Sequence, residues 1–482
     1  MASLECEVTS TSVHDDGRAR LSGEDRISPT ENLLLSNRTA PTYSMASRLR
    51  FVVALCLVAV GASLFAVAFR SLLALLYVRA YHASNVVNAI TSLPWWMRLV
   101  APTLGGAAAG LLARLRPASQ GVSNVMEAVA LGNVRLSLRA TLSRVTSSWA
   151  AIAGGMSIGR EGPLIEFGGT LGATIGRQFG TSLTQTRVLV AAGTAAGFAS
   201  AYNTPFAAIL FVFETVLGIA APEALLPAVG ATVISTLITR AIVGTGPIYG
   251  QRMFALQHPI EMISLAVLGA VAGIGAIAFK QTLAAFERFF EQTPISQPLR
   301  ATIGGALVGA IAIAVPSVVG NGYEPLNVIL DQQMTLTVVA ILLVSKIVAT
   351  SGSVASGVPG GIFTPTLLVG AALGTLMAPI VGAVTSSMPS PGSYALVGMA
   401  AATAASIHAP ITAAVLVFEL SGDYGIVLPL LLATVVATAV SRGLGSESVY
   451  EAELRRKGLG WRLTLEGRRV DRDDDANPAK SL

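Results

Sequence analysis

The scarcity of charge across a long central region most constrains how this chain can fold. Residues 51–441 contain 17 Lys and Arg and 12 Asp and Glu, and the two ends hold the other 30 charged residues. A soluble domain carries roughly 25% charged residues, whereas this region has 29 in 391. It therefore excludes a water-soluble enzyme and a disordered chain. It predicts an all-α polytopic membrane protein, because helices satisfy their own backbone groups where lipid offers no water.

The distribution of charge divides the chain into three regions. Residues 1–47 are predicted to be a polar cytoplasmic tail, residues 48–441 a transmembrane core, and residues 442–482 a final helix segment with a charged cytoplasmic tail. The last region is too short for a sizeable soluble domain. We expect no cleavable signal peptide, because about 50 mostly polar residues precede the first apolar run.

Basic and aromatic residues around the first two apolar runs indicate an orientation. Arg48 and Arg50 precede the first run, Arg114 follows the second, and Trp95 and Trp96 lie between them. Basic residues favour the cytoplasmic side of a membrane, and tryptophan favours the interface. We therefore expect the N-terminus and the end of the second run on the cytoplasmic side.

Two ordered motif pairs indicate an internal duplication. The segment GREGPLIEFGGTLGA, which begins at Gly159, matches GGIFTPTLLVGAALG, which begins at Gly360, when their prolines are aligned. Further on, two segments that share a Val-Phe-Glu ending match in the same order. The matches predict repeat halves of roughly 90–245 and 260–441. The strings alone leave a parallel or an inverted relation open.

Each repeated segment places Gly and Pro directly before an apolar stretch. Pro163 and Pro365 suit the first turn of a helix, and a helix N-terminus presents free N–H groups and the positive end of the dipole. Two such starts within the membrane could bind an anion without a full positive charge. The alternative is a pair of proline-kinked helices that bind nothing. The glycines at spacings of four that follow are typical of close helix packing.

Glu161 is the most informative single residue, because a carboxylate inside an apolar core is costly. One interpretation is an anion that complements the dipole of its own helix. The other is a gate that competes with a permeating anion and leaves when protonated. Arg160 is either its partner or a loop anchor. Glu214 and Glu419 end apolar helices, where solvated side chains near the membrane face are the simplest interpretation.

Other functional classes have little support in the sequence. The motifs HExxH and Walker A do not occur, and GREGP lacks the strand–helix context of a dinucleotide site. His408 has no second ligand near it in the sequence, so we expect no metal site and no cofactor. The net charge of +5 is spread through loops and balanced by acids in both tails, which does not indicate nucleic-acid binding.

Several motifs resemble those of the CLC family of chloride channels and chloride/proton antiporters. GREGP at Gly159–Pro163 and GIFTP at Gly361–Pro365 read as the second and third family signatures. Tyr202–Pro205 and Tyr450 in SVYEAEL also fit. GNGY at Gly320–Tyr323 and the segment Ile407–Pro410 look most like the bacterial ClcB-type subgroup.

The resemblance implies an inverted repeat of about 16–18 broken, tilted helices and a homodimer with one pore per subunit. It assigns the gating and proton role to Glu161. It assigns anion binding to the amides of Ile362 and Phe363 and to the Tyr450 hydroxyl, with Gly159, Arg160, Gly162 and Gly361 in the same signatures. It further implies an integral protein of the bacterial inner membrane without CBS domains, with membrane lipid and chloride or another small anion as its partners.

Two positions depart from the family pattern. Gln120 stands where the first signature has its anion-binding serine, and Ser119 could reach that place only by a shift of register. Thr215 stands where exchangers carry an inner proton glutamate, and a threonine holds no titratable proton. We therefore predict a voltage-gated chloride channel gated by Glu161, with a chloride/proton antiporter as the first alternative. A membrane enzyme or a non-transporting scaffold is the alternative of another class.

Overall fold

The computed structural model describes eight stretches of the chain. By its internal contacts the chain divides into Met1–Met45 and Ala46–Leu482, and the fold below is that of the second unit. The described stretches are 44–114, 121–132, 136–218, 222–246, 248–250, 261–385, 389–464 and 467–472.

Nine α-helices form the first half of the described chain. A π-helical turn, Val212–Leu217, continues α8, and a 3-10 turn, Pro222–Ala224, precedes α9. The helices are α1 (Met45–Tyr81), α2 (Val86–Ser92), α3 (Trp95–Arg114), α4 (Gly121–Leu131), α5 (Leu138–Ala153), α6 (Glu161–Gln178), α7 (Leu183–Tyr202), α8 (Pro205–Phe211) and α9 (Leu225–Val243).

Nine further α-helices and a β-hairpin form the second half. The hairpin pairs β1 (Leu459–Thr464) with β2 (Gly467–Arg472) in antiparallel fashion, and the sequence did not predict it. The helices are α10 (Glu261–Gln292), α11 (Gln297–Ala314), α12 (Tyr323–Leu330), α13 (Leu336–Ala355), α14 (Phe363–Thr385), α15 (Pro391–Ile407), α16 (Pro410–Ser421), α17 (Val427–Gly443) and α18 (Val449–Arg456).

Length and hydropathy identify the membrane-spanning part. Seven segments of the described chain are long and apolar enough to cross a membrane. Their outward side chains are large and apolar; Leu226 is 80% exposed and Leu237 63%. At the start of α3, Trp95 and Trp96 are also exposed, as expected for an aromatic belt. These features confirm an integral membrane protein.

The two halves are related by inversion. Helices α6 to α9 of the first half correspond to α14 to α17 of the second in order, and α6, α8, α14 and α16 each have a proline in their first turn. Glu214, just after α8, contacts the start of α16, and Glu419, near the end of α16, contacts the start of α8. The equivalent helices α8 and α16 therefore run antiparallel. The 18 α-helices of the described residues thus confirm the predicted inverted repeat of broken helices.

Close backbone contact explains the spaced glycines. A Cβ atom added at Gly172 would overlap the carbonyl of Leu189 on α7, and one added at Gly374 would overlap the carbonyl of Tyr394 on α15. The same helix pair is thus packed in both halves through the same kind of contact. This confirms the packing interpretation of the glycine rows.

Candidate functional site

The site is built on a short backbone pairing between the two signature segments. The Gly159 N–H donates to the Gly361 carbonyl at 2.6 Å, and the Gly361 N–H donates to the Gly159 carbonyl at 2.8 Å. Helix α6 begins two residues after the first glycine, and α14 begins two residues after the second. Two helix N-termini, each with first-turn N–H groups that lack an intrahelical acceptor, therefore meet at one place.

Contacts with α3 place this pairing at mid-depth. Gly154, at the end of α5, lies against Gly105 and Ala101, which are close to the middle of α3. The pairing follows within a few residues of Gly154. The start of α6 therefore follows a segment that contacts the middle, and not an end, of this 20-residue helix.

The Glu161 side chain occupies the meeting point of the two helix starts. It is 1% exposed. The Thr364 hydroxyl donates to its Oε1 atom, and the Tyr202 hydroxyl lies 2.9 Å from Thr364 Oγ1. Its Oε2 atom has no hydrogen-bond partner among the described groups. Among the described groups, the carboxylate is therefore held by a hydrogen bond at Oε1 and not at Oε2, as expected for a side chain that moves.

A cavity of about 210 Å³ lies below Glu161, and we call it the inner cavity. It opens toward the side on which Arg114 ends α3, which is the side predicted to be cytoplasmic. Its lining includes the starts of α6 and α14 as well as Tyr450 and charged residues of α5, α10 and α18. The lining residues include Gly121, Arg144, Glu161, Gly162, Glu287, Gly361, Ile362, Phe363, Tyr450, Glu453 and Arg456.

A second cavity, of about 120 Å³, lies beside the C-terminal part of α1, and we call it the outer cavity. Arg70, Arg160, Asn321 and Glu324 give it a polar lining. The inner and outer cavities share no lining residue. Arg160 and Glu161, neighbours in sequence, line different cavities, so the backbone between them separates the two.

The structure brings most of the predicted site residues together. Of these, Glu161, Gly162, Gly361, Ile362, Phe363 and Tyr450 line the inner cavity, and Gly159 forms the backbone pairing above it. Arg160 faces the outer cavity. Ser119 and Gln120 lie outside the described residues.

Aromatic contacts hold Phe363 and Tyr450 at the cavity wall. The Phe363 ring lies 5.6 Å from the rings of Phe198 and Tyr202, both on α7. The Tyr450 ring lies 6.2 Å from that of Phe211 on α8. The α7 and α8 segments therefore pack against two side chains of the inner-cavity wall.

Glu214 and Glu419 are not the solvated caps that the sequence favoured. Both side chains are half-buried and bind backbone N–H groups of the opposite repeat. The Glu214 carboxylate accepts from Ile411 and Thr412, and the Glu419 carboxylate accepts from Phe206 and Ala207. Helices α8 and α16 begin with proline like α6 and α14, but their N-termini are already occupied by carboxylates. Of these four helices, α6 and α14 have N-termini that line the inner cavity.

Thr215 lies in the π-helical turn after α8 and is 1% exposed. A π-helical turn inside an α-helix is uncommon and frequent at functional sites. Its place, next to Glu214, is therefore a special one in the fold. The Thr215 hydroxyl does not titrate, so this residue cannot take up and release a proton as a glutamate would.

Sequence reasoning missed several polar residues of the site. Thr364 lies within the GIFTP signature, but no role was assigned to it, because threonine is common in apolar runs. Glu453 lay within a charged segment, and the Arg144–Glu166 ion pair, at 3.1 Å, joins residues that no motif linked. Lys346 did have a signal, since it is one lysine in a long apolar run. Its Nζ donates to the carbonyls of Val318 and Gly320 at 3.0 and 2.8 Å and so holds the GNGY loop.

Comparison with known proteins agrees with this architecture. The sequence model of the voltage gated chloride channel family matches residues 104–442. The match includes the paired signature segments with Arg160 and Glu161, and the repeated helices as far as residue 442. The chain therefore belongs to the CLC family of voltage gated chloride channels.

Relatives within the family are bacterial ClcB proteins. The chain is 38% identical over 380 residues to a ClcB-like chloride channel protein of Ralstonia nicotianae, which covers 77% of this chain and 89% of the relative. It is 32% identical over 410 residues to the voltage-gated ClC-type chloride channel ClcB of Salmonella typhimurium, with 82% and 96% covered. The predicted likeness to the ClcB-type subgroup is confirmed.

Solved structures share the fold at lower identity. A slow cyanobacterial chloride/proton antiporter superimposes with a TM-score of 0.77 at 24% identity, over 85% of this chain and 98% of that one. A CLC-type fluoride/proton antiporter superimposes with a TM-score of 0.70 at 20% identity, over 85% and 99%. The CLC fold is thus shown for the chain.

Proposed function

We propose that this protein moves chloride, or another small anion, across the membrane between the inner and outer cavities, with the Glu161 carboxylate as the gate. The observation that carries the proposal is the position of that carboxylate. It lies buried between two cavities, at the one place where two helix N-termini converge within the membrane. The relatives named above are chloride channels, and the family membership supports the same function here.

The helix starts supply the anion-binding groups. The backbone N–H groups near Ile362 and Phe363 begin α14 and face the inner cavity, where Tyr450 adds a hydroxyl. A helix N-terminus carries about half a positive charge, so it attracts a partly dehydrated anion without trapping it. Arg160 and Arg70 supply full positive charge in the outer cavity, whereas the two arginines of the inner cavity, Arg144 and Arg456, are each paired with a carboxylate.

Glu161 closes this path in the conformation described. Its carboxylate competes for the same positive helix ends that an anion would use, and the Thr364 hydroxyl holds it there. Protonation or displacement of the side chain would free the place for an anion. Voltage dependence belongs to the proposal, because one charge that crosses the whole field changes energy by about 2.3 kcal/mol per 100 mV.

Anion efflux from proteoliposomes tests the proposal. The vesicles are held at a potassium–valinomycin potential while external chloride and pH are recorded together. Chloride efflux without a pH change indicates a channel or uncoupled carrier. If no anion moves and the purified protein is monodisperse, the proposal fails and the membrane enzyme or scaffold becomes the better hypothesis.

Chloride/proton exchange is the second candidate function. The separation of the two cavities at Glu161 favours it, because an exchanger must never open both sides at once. Thr215 weighs against the family's usual inner proton site. Chloride efflux accompanied by proton movement in the opposite direction, against the proton gradient, would establish exchange.

We further propose a homodimer in the bacterial inner membrane, with one path per subunit and with membrane lipid around it. The large apolar side chains exposed on α9 and α17, such as Leu226 and Leu428, need either lipid or a second copy as cover. Stepwise photobleaching of singly labelled protein in liposomes tests this: two steps support a dimer, and one step contradicts it.

The preferred anion is the remaining part of the proposal. We propose chloride, with Gln120 or Ser119 in place of the family's serine. Efflux of chloride, nitrate and fluoride measured under the same potential ranks the anions. A Gln120→Ser variant that raises the preference for chloride would support a role for this position.

A further inference from the structure

Glu453 shares the inner cavity with Glu161, although the sequence analysis assigned it no role. It lies on α18 three residues after Tyr450, so the two side chains occupy the same helix face. Both line the inner cavity, Glu453 toward its cytoplasmic side and Glu161 at its upper end. One water-accessible space therefore connects a carboxylate at the mouth with the carboxylate at the gate.

The cations around Glu453 are already paired with other carboxylates. Arg144 lies 3.1 Å from Glu166, and Arg456 lies 2.8 Å from Glu287. Among the described residues, no ion pair within 4 Å joins Glu453 to a basic side chain. The titratable and charged groups that face it are Tyr450, Arg456 and Lys457 on α18, Arg144 on α5, Glu161 and Glu166 on α6, Glu287 on α10, and Glu127, the partner of Lys457, on α4.

A hydroxyl is the group that binds Glu453 directly. The Ser123 hydroxyl donates to the Glu453 carboxylate, and Lys457 Nζ donates to Ser123 Oγ at 3.1 Å. Burial raises the pKa of Glu453, and this effect exceeds the lowering by the Ser123 hydrogen bond and the nearby cations. The carboxyl group is thus easier to protonate than an exposed glutamate.

The inner cavity has room for a chain of water molecules. One water needs roughly 10–15 Å³ of such space together with polar partners, and the cavity measures about 210 Å³. Its wall offers polar groups at both ends, from Glu453 and Arg144 to Tyr450 and Glu161. Water can therefore link the two carboxylates without a side-chain bridge through Thr215.

A charged carboxylate at the mouth of an anion path also has a cost, because it repels the anion that must pass. Protonation of Glu453 removes that repulsion, and an anion in the cavity in turn favours the protonated form. Such coupling is reciprocal by thermodynamic necessity. The protonation of Glu453 is thus coupled to the presence of an anion in the inner cavity.

We propose that Glu453 is the proton-carrying carboxylate on the cytoplasmic side of this protein, in place of a glutamate at position 215. The proposal rests on the anion transport proposed above and adds the proton route. Bulk water protonates the Glu453 carboxylate. The O–H bond of Glu453 then breaks as its proton passes along the cavity water, and an O–H bond forms on Glu161, so that no charge other than the proton moves.

Paired chloride and pH recordings on proteoliposomes test the role of Glu453. In Glu453→Gln we expect the number of protons moved per chloride to fall by at least about tenfold. Glu453→Asp, which keeps a carboxylate, should recover part of the ratio. Glu447→Gln is the matched control, because it removes a nearby carboxylate that pairs with Arg455 at 2.9 Å and does not line the inner cavity.

The outcomes separate this proposal from that of anion transport. An unchanged ratio in Glu453→Gln overturns the relay. Chloride flux without any proton movement in the wild type also overturns it, while anion transport stands. If the wild type moves no anion, both proposals fail.

A binding measurement gives a second readout without transport. Chloride titration by calorimetry in two buffers of different ionisation enthalpy counts the protons taken up on binding. We expect uptake in the wild type and less in Glu453→Gln. Equal uptake in the two proteins contradicts the proposal.

Discussion

Glu214 and Glu419 cap helices of opposite repeats. The Glu214 side chain caps the N-terminus of α16, and the Glu419 side chain caps the N-terminus of α8. Glu214 accepts from Thr412 N–H at 2.7 Å, and Glu419 accepts from Ala207 N–H at 2.7 Å. Helices α6, α8, α14 and α16 each have a proline in their first turn, and this exchange satisfies the N-termini of α8 and α16. The N-termini of α6 and α14, which start at the Gly159–Gly361 pairing, line the inner cavity instead.

We predict that loss of either carboxylate destabilises the protein. Glu214→Ala removes three hydrogen bonds, because Glu214 also accepts from the Thr412 hydroxyl at 2.6 Å, whereas Glu419→Ala removes two. A buried donor left unsatisfied costs about 1–3 kcal/mol. Thermal unfolding in detergent should therefore show a lower midpoint for both variants, and the larger decrease for Glu214→Ala. Glu223→Gln, an exposed site, is the control. Equal midpoints for all three variants would contradict the capping role.

We predict that Glu161→Gln changes gating. The neutral amide cannot compete with an anion as a carboxylate does, so chloride flux should rise or become independent of pH, and any proton coupling should be lost. Flux is measured in proteoliposomes between pH 4.5 and 7.5. A variant with wild-type flux, pH dependence and coupling would exclude Glu161 as the gate.

Thr364→Val tests the tether of the gate. The valine keeps the shape of the side chain but removes the hydroxyl that donates to Glu161 Oε1. A hydrogen bond to a charged group contributes about 1.5–3 kcal/mol, so the closed arrangement should weaken and chloride flux at neutral pH should rise several-fold. Thr364→Ser keeps the hydroxyl and should behave like the wild type. Flux that is lower in the valine variant than in the serine variant would mean that Thr364 stabilises the open path instead.

The sequence predicted the fold well because its signals are local. Low charge, proline starts and spaced glycines each act within one helix or one helix pair, and the two matched segments showed the duplication. The inversion was not visible in the strings. The inversion is seen in the backbone pairing of Gly159 with Gly361 and in the binding of Glu214 and Glu419 to backbone N–H groups of the opposite repeat. Contacts with backbone atoms leave no pattern in the sequence.

The site was predicted only where a motif marked it. Glu161, Ile362, Phe363 and Tyr450 were assigned through the family resemblance, and the structure places them around one cavity. The assignment of roles to them stays a prediction. Thr364 and Glu453 were missed, because a threonine in an apolar run and a glutamate in a charged helix are ordinary residues until their neighbours are known.

Helix contact in the second repeat gives a stability prediction with an internal control. Gly374→Ala would place a methyl group against the Tyr394 carbonyl on α15, so α14 and α15 must move apart. Overpacking of this kind costs about 1–3 kcal/mol. Gly443→Ala, at the end of α17, meets no atom within 4 Å and should be neutral. The two unfolding midpoints in detergent should differ by several degrees; equal midpoints would contradict tight packing at Gly374.

A carboxylate on α18 gives a prediction for pH dependence. Burial opposes ionisation of Glu451, but hydrogen bonds from His408 and from the Ser448 N–H outweigh burial and lower its pKa to about 2. Because the folded pKa is below the unfolded value of about 4.3, Glu451 stabilises the fold at neutral pH, and this contribution is lost as the pH falls from about 4 to 2. Glu451→Gln should therefore lower the unfolding midpoint at pH 7, and the difference from wild type should shrink below pH 4. Glu447→Gln, whose side chain is more exposed, should show little difference at either pH. A Glu451→Gln deficit that is the same at pH 7 and pH 3 would mean that packing, not the charge of Glu451, stabilises this end of the molecule.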